Sequence, residues 1–402
     1  MTASAVSVFN KVSKPPVAAR MLLGLLGKLQ VGTIVLTGPE GDTYRFAHTP
    51  EPYVEFAVHD WSACSQILRS GDIGFAEAYR DRKVSCNCIV SVLLLALANQ
   101  EIMERTIHGT FWGTWLHRIK HLMNKNTRAG SKKNIHLHYD IGNEFYRLWL
   151  DPSMTYSAAL FREGSTSHEQ AQYAKYDRLL DLIEVRPGMR ILEIGCGWGA
   201  FAEYAATTRG CYVTGVSLSR EQLAYANERV KGTPAEDRTC FKFQDYRDIK
   251  GRYDAVVSIE MFEAVGESYW PSYFKKLKEV VRPGGKIGLQ TITVANERFD
   301  DYRSKTDFIQ QYIFPGGMLP SPSRFSAEVQ RAGLTLNDYF DFGQDYAETL
   351  RHWRHAFEGQ LDAVRALGLD EDFIRLWRFY LCYCEAGFVA GRTSVCQALL
   401  TA

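Results

Sequence analysis

The chain has 402 residues, 47 Lys+Arg against 46 Asp+Glu for a formal net charge of +1, with 46% hydrophobic and 13% aromatic residues. At roughly 150 residues per domain this length builds two or three domains with real cores, which excludes a disulfide miniprotein and a disordered chain. The near-zero total argues against a nucleic-acid partner and, at first count, against a membrane surface.

Lys11, Lys14 and Arg20 precede Met21-Leu22-Leu23-Gly24-Leu25-Leu26, a start similar to a signal peptide. The apolar stretch is short, ends at Lys28 and lacks a small-residue cleavage pattern, so it reads as a short amphipathic helix. Residues 31–36 read as a strand, Gly38-Pro39-Glu40-Gly41-Asp42 as a hairpin turn and 44–47 as its partner, within a small α+β domain over 1–104. The apolar run 89–98 has about half of the roughly 20 residues a membrane span needs and reads as a buried helix. Nine cysteines, with two C-x-C pairs and no C-x-x-C, predict reduced cytosolic thiols rather than a zinc site or a disulfide framework.

After Glu104 no acidic residue occurs until Asp140, while Arg105, Arg118, Lys120, Lys125, Arg128, Lys132 and Lys133 accumulate beside Phe111, Trp112 and Trp115. The segment 105–135 therefore reads as a basic aromatic helix followed by an exposed linker. Residues 1–139 hold 16 Lys+Arg and 10 Asp+Glu and the remainder 31 and 36, so the neutral total conceals a front of about +6 and a body of about −5. This split restores an anionic membrane surface as a partner, with a merely solvated linker as the plain alternative.

From 136 onward strands alternate with helices: helix 171–183, strand 190–194, helix 201–207, strand 212–216, helix 221–230, strand 239–244, strand 253–259, helix 269–281 and strand 286–293. That alternation predicts an α/β fold, a doubly wound Rossmann-like sheet over 136–402. Its sharpest motif is Glu193-Ile194-Gly195-Cys196-Gly197-Trp198-Gly199, where glycines let the backbone approach a ligand at a helix N-terminus. A dinucleotide site would place an acidic residue about 20 positions on, at the end of the second strand; Val216-Ser217-Leu218-Ser219 stands there instead. The pattern is similar to the S-adenosyl-L-methionine site of class I methyltransferases, with Asp245 placed for the adenine amino group.

His138-Tyr139-Asp140-Ile141-Gly142-Asn143-Glu144-Phe145-Tyr146 and Leu150-Asp151-Pro152-Ser153-Met154-Thr155-Tyr156-Ser157 strongly resemble the entry to the catalytic domain of cyclopropane-fatty-acyl-phospholipid synthases and mycolic acid cyclopropane synthases. Gln244-Asp245-Tyr246-Arg247-Asp248, Met261-Phe262-Glu263, Tyr312-Ile313-Phe314-Pro315-Gly316-Gly317 and Phe342-Gly343-Gln344-Asp345-Tyr346 follow in the family's order. Gly71-Asp72-Ile73-Gly74 and Glu77-Ala78-Tyr79 resemble the extra N-terminal domain of the phospholipid enzymes, which is expected to face lipid.

The resemblance implies S-adenosyl-L-methionine held by Tyr156, Ser157, Glu193, Gly195, Cys196, Gly197, Trp198, Gly199, Ser217, Leu218, Gln222, Asp245 and Tyr246. It implies methyl transfer to the double bond of an unsaturated acyl chain, with Tyr312, Phe314 and Tyr346 as aromatic faces for the resulting cation. The family's base is a bound bicarbonate held by Cys, Glu, His and Tyr. Here Glu263 and Tyr346 match, but Ala158 replaces the Cys and Gln290 the His, which weakens a bicarbonate site. Glu260 stands where the family has Gly, so its carboxylate is expected to replace bicarbonate as general base, with Gln290 as hydrogen-bond partner. A solvated strand-end Glu is the plain alternative. Cys384 aligns with a C-terminal Cys sometimes assigned as nucleophile; a buried structural thiol is the other reading.

These residues imply a cytoplasmic enzyme, peripheral on the inner face of the membrane, acting on unsaturated phospholipid acyl chains. The product is a cyclopropane or a methyl- or methylene-branched chain, the saturated branch calling for a partner oxidoreductase; an oligomer is compatible. A natural-product methyltransferase and a non-catalytic lipid-binding relative stand beside this reading.

Overall fold

The computed structural model describes residues 7–9, 14–102, 141–162 and 167–402. The basic aromatic segment, with Arg118, Lys120 and Lys125, and the His138-Tyr139-Asp140 opening of the family motif lie outside the described residues. The chain forms two compact units, Met1–His121 with Lys305–Ile313 and Leu361–Ala390, and Leu122–Ser304 with Phe314–Gln360 and Gly391–Ala402. Instead of one continuous domain over 136–402, the chain returns twice to the first unit. The reason is apolar: the helix Glu371–Val389 buries Ile374, Phe379 and Leu381 and packs on the helices Ser62–Arg80 and Ile89–Ala98.

The first unit carries a sheet of β1 (Ser7–Phe9), β2 (Thr33–Thr37), β3 (Thr43–Ala47), β4 (Tyr53–Val58) and β5 (Val84–Cys86), in the order β1-β3-β2-β4-β5. The β2-β3 hairpin closes where expected, with Gly38 N–H donating to Asp42 O at 2.8 Å. Alternate residues are buried along β3 and β4, the period-2 signature of a half-covered sheet. The N-terminal amphipathic text folds as the helix Val17–Leu26, which buries Ala19, Leu22, Leu25 and Leu26. The run 89–98 is a helix over those same residues.

The second unit holds β6 (Arg190–Ile194), β7 (Tyr212–Ser217), β8 (Thr239–Phe243), β9 (Tyr253–Ile259), β10 (Val281–Val294), β11 (Thr335–Asp341) and β12 (Thr393–Thr401). Their order is β11-β12-β10-β9-β6-β7-β8. β10, β9, β6, β7 and β8 run parallel, and β12 lies antiparallel between β10 and β11. The sheet is doubly wound. Helices His168–Leu182 and Ala200–Arg209 build one core with Ile191, Val213 and Val257, and Trp270–Val280 and Pro322–Arg331 build another with Leu192, Val256 and Leu289. The order reverses at β6, so the carboxyl ends of β9, β6 and β7 border the crevice where such sheets take ligands.

Candidate active site

Gly195, Gly197 and Gly199 have φ of 86°, 50° and 84°, backbone that other residues rarely adopt. A Cβ at Gly195 would lie 2.7 Å from Met261, and one at Gly199 2.8 Å from Ala226, so packing demands both glycines. At Gly197 a Cβ would meet nothing within 4 Å, so the loop is open on that side. The N–H groups of Gly195 and Cys196 donate to Val216 O at 2.9 and 3.1 Å, tying the loop to the end of β7. The helix Ala200–Arg209 starts immediately after it and offers unpaired N–H groups. Cys196 and Trp198 are buried, and Trp198 Nε1 donates to Asn143 Oδ1 at 2.7 Å.

Glu193, at 3% exposure, has one carboxyl oxygen with no partner, and burial pushes its pKa up to about 8. Beyond β7, Ser217 Oγ donates to Gln222 Oε1 at 3.0 Å and accepts from Ser219 N–H, with Leu218 half-buried between them. Asp245, after β8, is gripped by Arg247 through Nε at 2.8 Å and Nη2 at 2.6 Å, and Tyr246 lies edge-on to Tyr273. Arg247 thus fixes this carboxylate in place, its backbone N–H also donating to Oδ1 at 3.0 Å. Tyr156 sits among Tyr146, Trp149 and Trp353, with ring centroids 5.3 to 5.5 Å away. The open backbone at Gly197 and the unpartnered Glu193 oxygen at the end of β6 fit the ammonium and hydroxyl donors of S-adenosylmethionine.

Glu260 follows β9 with φ 48°, a left-handed conformation that costs a non-glycine residue about 1–2 kcal/mol. Its N–H donates to Gln290 O at 2.8 Å. Its Oε1 accepts from Ala158 N–H and from Gln290 Nε2, both at 2.8 Å, and its Oε2 accepts from Tyr346 OH at 2.7 Å. The Gln290 amide cannot turn, because its Oε1 accepts from Gln397 Nε2 on β12 at 3.0 Å. Burial raises the Glu260 pKa, opposed by Lys175 and by these three donors. Sequence comparison counts Ala158 as a lost ligand; the structure shows its backbone N–H in use.

Glu263 Oε1 accepts from Thr291 Oγ1 at 2.8 Å and from Ile292 N–H at 2.5 Å, clipping the loop onto β10. Its Oε2 has no partner, and burial together with the charge of Glu260 pushes its pKa up to about 8. Gln290 and Tyr346 therefore both bond Glu260, and Glu263 stands beside them on a separate set of donors.

Two expected residues belong to the first unit instead. Tyr312 donates to Glu77 Oε1 at 2.6 Å, and Cys384 lies in the helix Glu371–Val389, its thiol held well above the usual range by burial and by Asp307. A group that sequence reading missed is Lys175, wholly buried, whose Nζ donates to Ser157 Oγ. The signal was present: Ala171, Lys175 and Leu179 follow one another at helical spacing on the face that packs inward.

The family model described as mycolic acid cyclopropane synthetase matches residues 126–398. The chain belongs to this family. It is 40% identical over 345 residues to tuberculostearic acid methyltransferase UfaA1 of Mycobacterium tuberculosis, covering 83% of this chain and 79% of that one. It is 32% identical over 345 residues to the cyclopropane-fatty-acyl-phospholipid synthase of Escherichia coli K12, covering 84% and 85%. Among solved structures, mycolic acid cyclopropane synthase CmaA1 complexed with SAH and CTAB matches with a TM-score of 0.63 at 28% identity, covering 67% of this chain and 98% of that one. The chain is thus an S-adenosylmethionine-dependent methyltransferase acting on fatty acyl chains, built on the Rossmann-like sheet that the strand and helix alternation predicts.

Proposed function

We propose that the chain methylates the double bond of a monounsaturated acyl chain esterified in phospholipid, with the Glu260 carboxylate as general base. S-adenosylmethionine supplies an electrophilic methyl on sulfonium. The alkene electron pair forms the new bond to that carbon as the carbon–sulfur bond breaks, leaving a cation on the neighbouring acyl carbon. The rings of Tyr156, Tyr346 and Trp353 stand near one another to face it, at roughly 0.5–2 kcal/mol per contact. Glu260 then takes a proton from the transferred methyl.

If the freed C–H electron pair closes onto the cationic carbon, the product is a cyclopropane. If a hydride first shifts to that carbon from the methyl-bearing one, the cation moves there and the pair forms a methylene branch, C=CH2, on the chain. Two relatives at 40% identity carry methyltransferase names while the cyclopropane-fatty-acyl-phospholipid synthase stands at 32%, which supports a branched chain over a cyclopropane. A saturated methyl branch then needs a two-electron reduction by a partner oxidoreductase.

The observation that carries the reading is the Glu260 carboxylate, held by a backbone N–H, an amide and a phenol just past the carboxyl end of β9. No helix among the described residues is long and apolar enough to cross a membrane, and the proposed location is the inner membrane face, reached through the basic front. Mass spectrometry of phospholipids from cells expressing the chain should show one added CH2 on unsaturated acyl chains. Proton NMR then separates a vinylic methylene from a cyclopropane. Cofactor binding with no lipid change would overturn the proposal.

A further inference from the structure

Lys175 has no exposure, on the helix His168–Leu182. A buried ammonium is expensive unless charges and hydrogen bonds compensate it. It lies over the Tyr176 ring, 5.2 Å from the centroid, donates to Ser157 Oγ and is attracted by Glu260 first and Asp151 second. Two chains of hydrogen bonds leave this residue and meet at one atom. In the first, Lys175 Nζ holds Ser157, and the next peptide N–H, that of Ala158, donates to Glu260 Oε1. In the second, the Lys175 carbonyl accepts from Gln397 Nε2 at 3.0 Å, Gln397 donates to Gln290 Oε1, and Gln290 Nε2 donates to Glu260 Oε1.

We propose that Lys175 is the positioning residue of the Glu260 base: its buried ammonium keeps Glu260 a carboxylate, and its two hydrogen-bonded chains hold Oε1 so that the second lone pair of Oε2, beside the Tyr346 bond, turns to the reacting methyl. The proposal rests on the reading of Glu260 as the base. Burial draws the Lys175 pKa down to about 7 against the pull of Glu260 and Asp151, so each carboxylate contributes to keeping the charge. The groups facing Lys175 are Glu260 from the loop after β9, Asp151 from the segment before the helix, and His168 and Tyr176 from its own helix. Glu260 in turn faces Lys175, Glu263 and Tyr346. His168 is drawn down to about 3 by burial and stays neutral through the range that matters.

The test measures S-adenosylhomocysteine release by the full chain on dioleoyl phosphatidylglycerol vesicles from about pH 6 to 9, for wild type, Lys175→Met, Lys175→Arg, Asp151→Asn and Glu260→Gln. Loss of the opposite charge raises the Glu260 pKa, so Lys175→Met should move the acid limb up by about one pH unit, roughly tenfold in rate at fixed pH on that limb. Lys175→Arg should return the limb towards its wild-type place. A folded Lys175→Met with the wild-type limb and rate overturns the proposal. Should that variant not fold, Asp151→Asn decides. Asp151 helps hold the charge on Lys175, so without it the ammonium protects Glu260 less and the limb moves up; an unmoved limb overturns the proposal. Glu260→Gln at full rate sinks the base itself, whereas an inactive Glu260→Gln beside an unmoved Lys175 limb sinks only the role of Lys175.

Discussion

Replacing Glu260 by Gln removes a proton acceptor while leaving the volume and the hydrogen bonds in place. The amide oxygen takes the Oε1 position, where Ala158 N–H and Gln290 Nε2 point from 2.8 Å. The amide NH2 takes the Oε2 position, where the Tyr346 hydroxyl, now 2.7 Å away as a donor, turns to accept. Three charge-assisted hydrogen bonds become neutral ones, but the charge no longer has to be buried, so stability should change by only about 1–2 kcal/mol in either direction. A positioned general base contributes about 100- to 10 000-fold, which is about 3–5 kcal/mol of activation free energy. Single-turnover formation of the methylated acyl chain should therefore fall at least 100-fold, while calorimetric cofactor affinity and melting temperature stay close to wild type. A rate within tenfold of wild type, with cofactor bound, would refute the assignment of Glu260 as the base.

Glycine relieves the φ of 48° at position 260 and leaves the donors of Ala158, Gln290 and Tyr346 around an empty volume, so Glu260→Gly should be slow and regain at least tenfold in rate with added formate or bicarbonate. No response to either anion would mean that these donors do not form an anion site. The Glu263 carboxyl has a folded pKa of about 8 against 4.5, so its contribution to stability is full below about pH 4.5 and is lost as pH rises through 8. Glu263→Gln should flatten the fall in melting temperature between about pH 5 and 8, where linkage to this carboxyl carries roughly 3–4 kcal/mol, and a slope equal to wild type would contradict the burial argument. The Cys384 thiol stays protonated at neutral pH, so Cys384→Ala should keep activity within about twofold and lose about 1 kcal/mol of stability. A tenfold loss of activity at unchanged melting would restore Cys384 as a reacting group.

The parallel part of the catalytic sheet was legible element by element, because β6, β7 and β9 are short, mostly buried runs and the helices between have apolar residues at their own period. Strand 253–259 and helix 89–98 fall at the observed bounds, and β7, β8 and the helix Trp270–Val280 within a residue or two. The antiparallel β12 was not legible. Its partners β10 and β11 lie far away in sequence, and nothing local in 393–401 records their direction. The same limit governed the domain boundary, which the apolar face of Glu371–Val389 decides by packing on helices nearly 300 residues earlier.

In the site, motif order located Glu260, Gln290, Tyr346 and the glycine loop, since substitutions at known positions are visible in a string of letters. The loss of a Cys at Ala158 looked like the loss of a ligand, because side chains can be read from sequence and backbone N–H groups cannot. Sequence by itself determined the fold class, the glycine loop after β6 and the chemical types at the proposed reacting end: a carboxylate, an amide and a phenol. Only the tertiary structure decided that the amide and the phenol both bond the carboxylate, that Gln397 on the last strand locks the amide, and that a buried Lys175 stands behind them. Local periodicity encodes which face of an element is buried. Which buried polar groups then satisfy one another is set by contacts across roughly 30 to 220 positions of chain, where each group must find a partner or meet the cost of losing water.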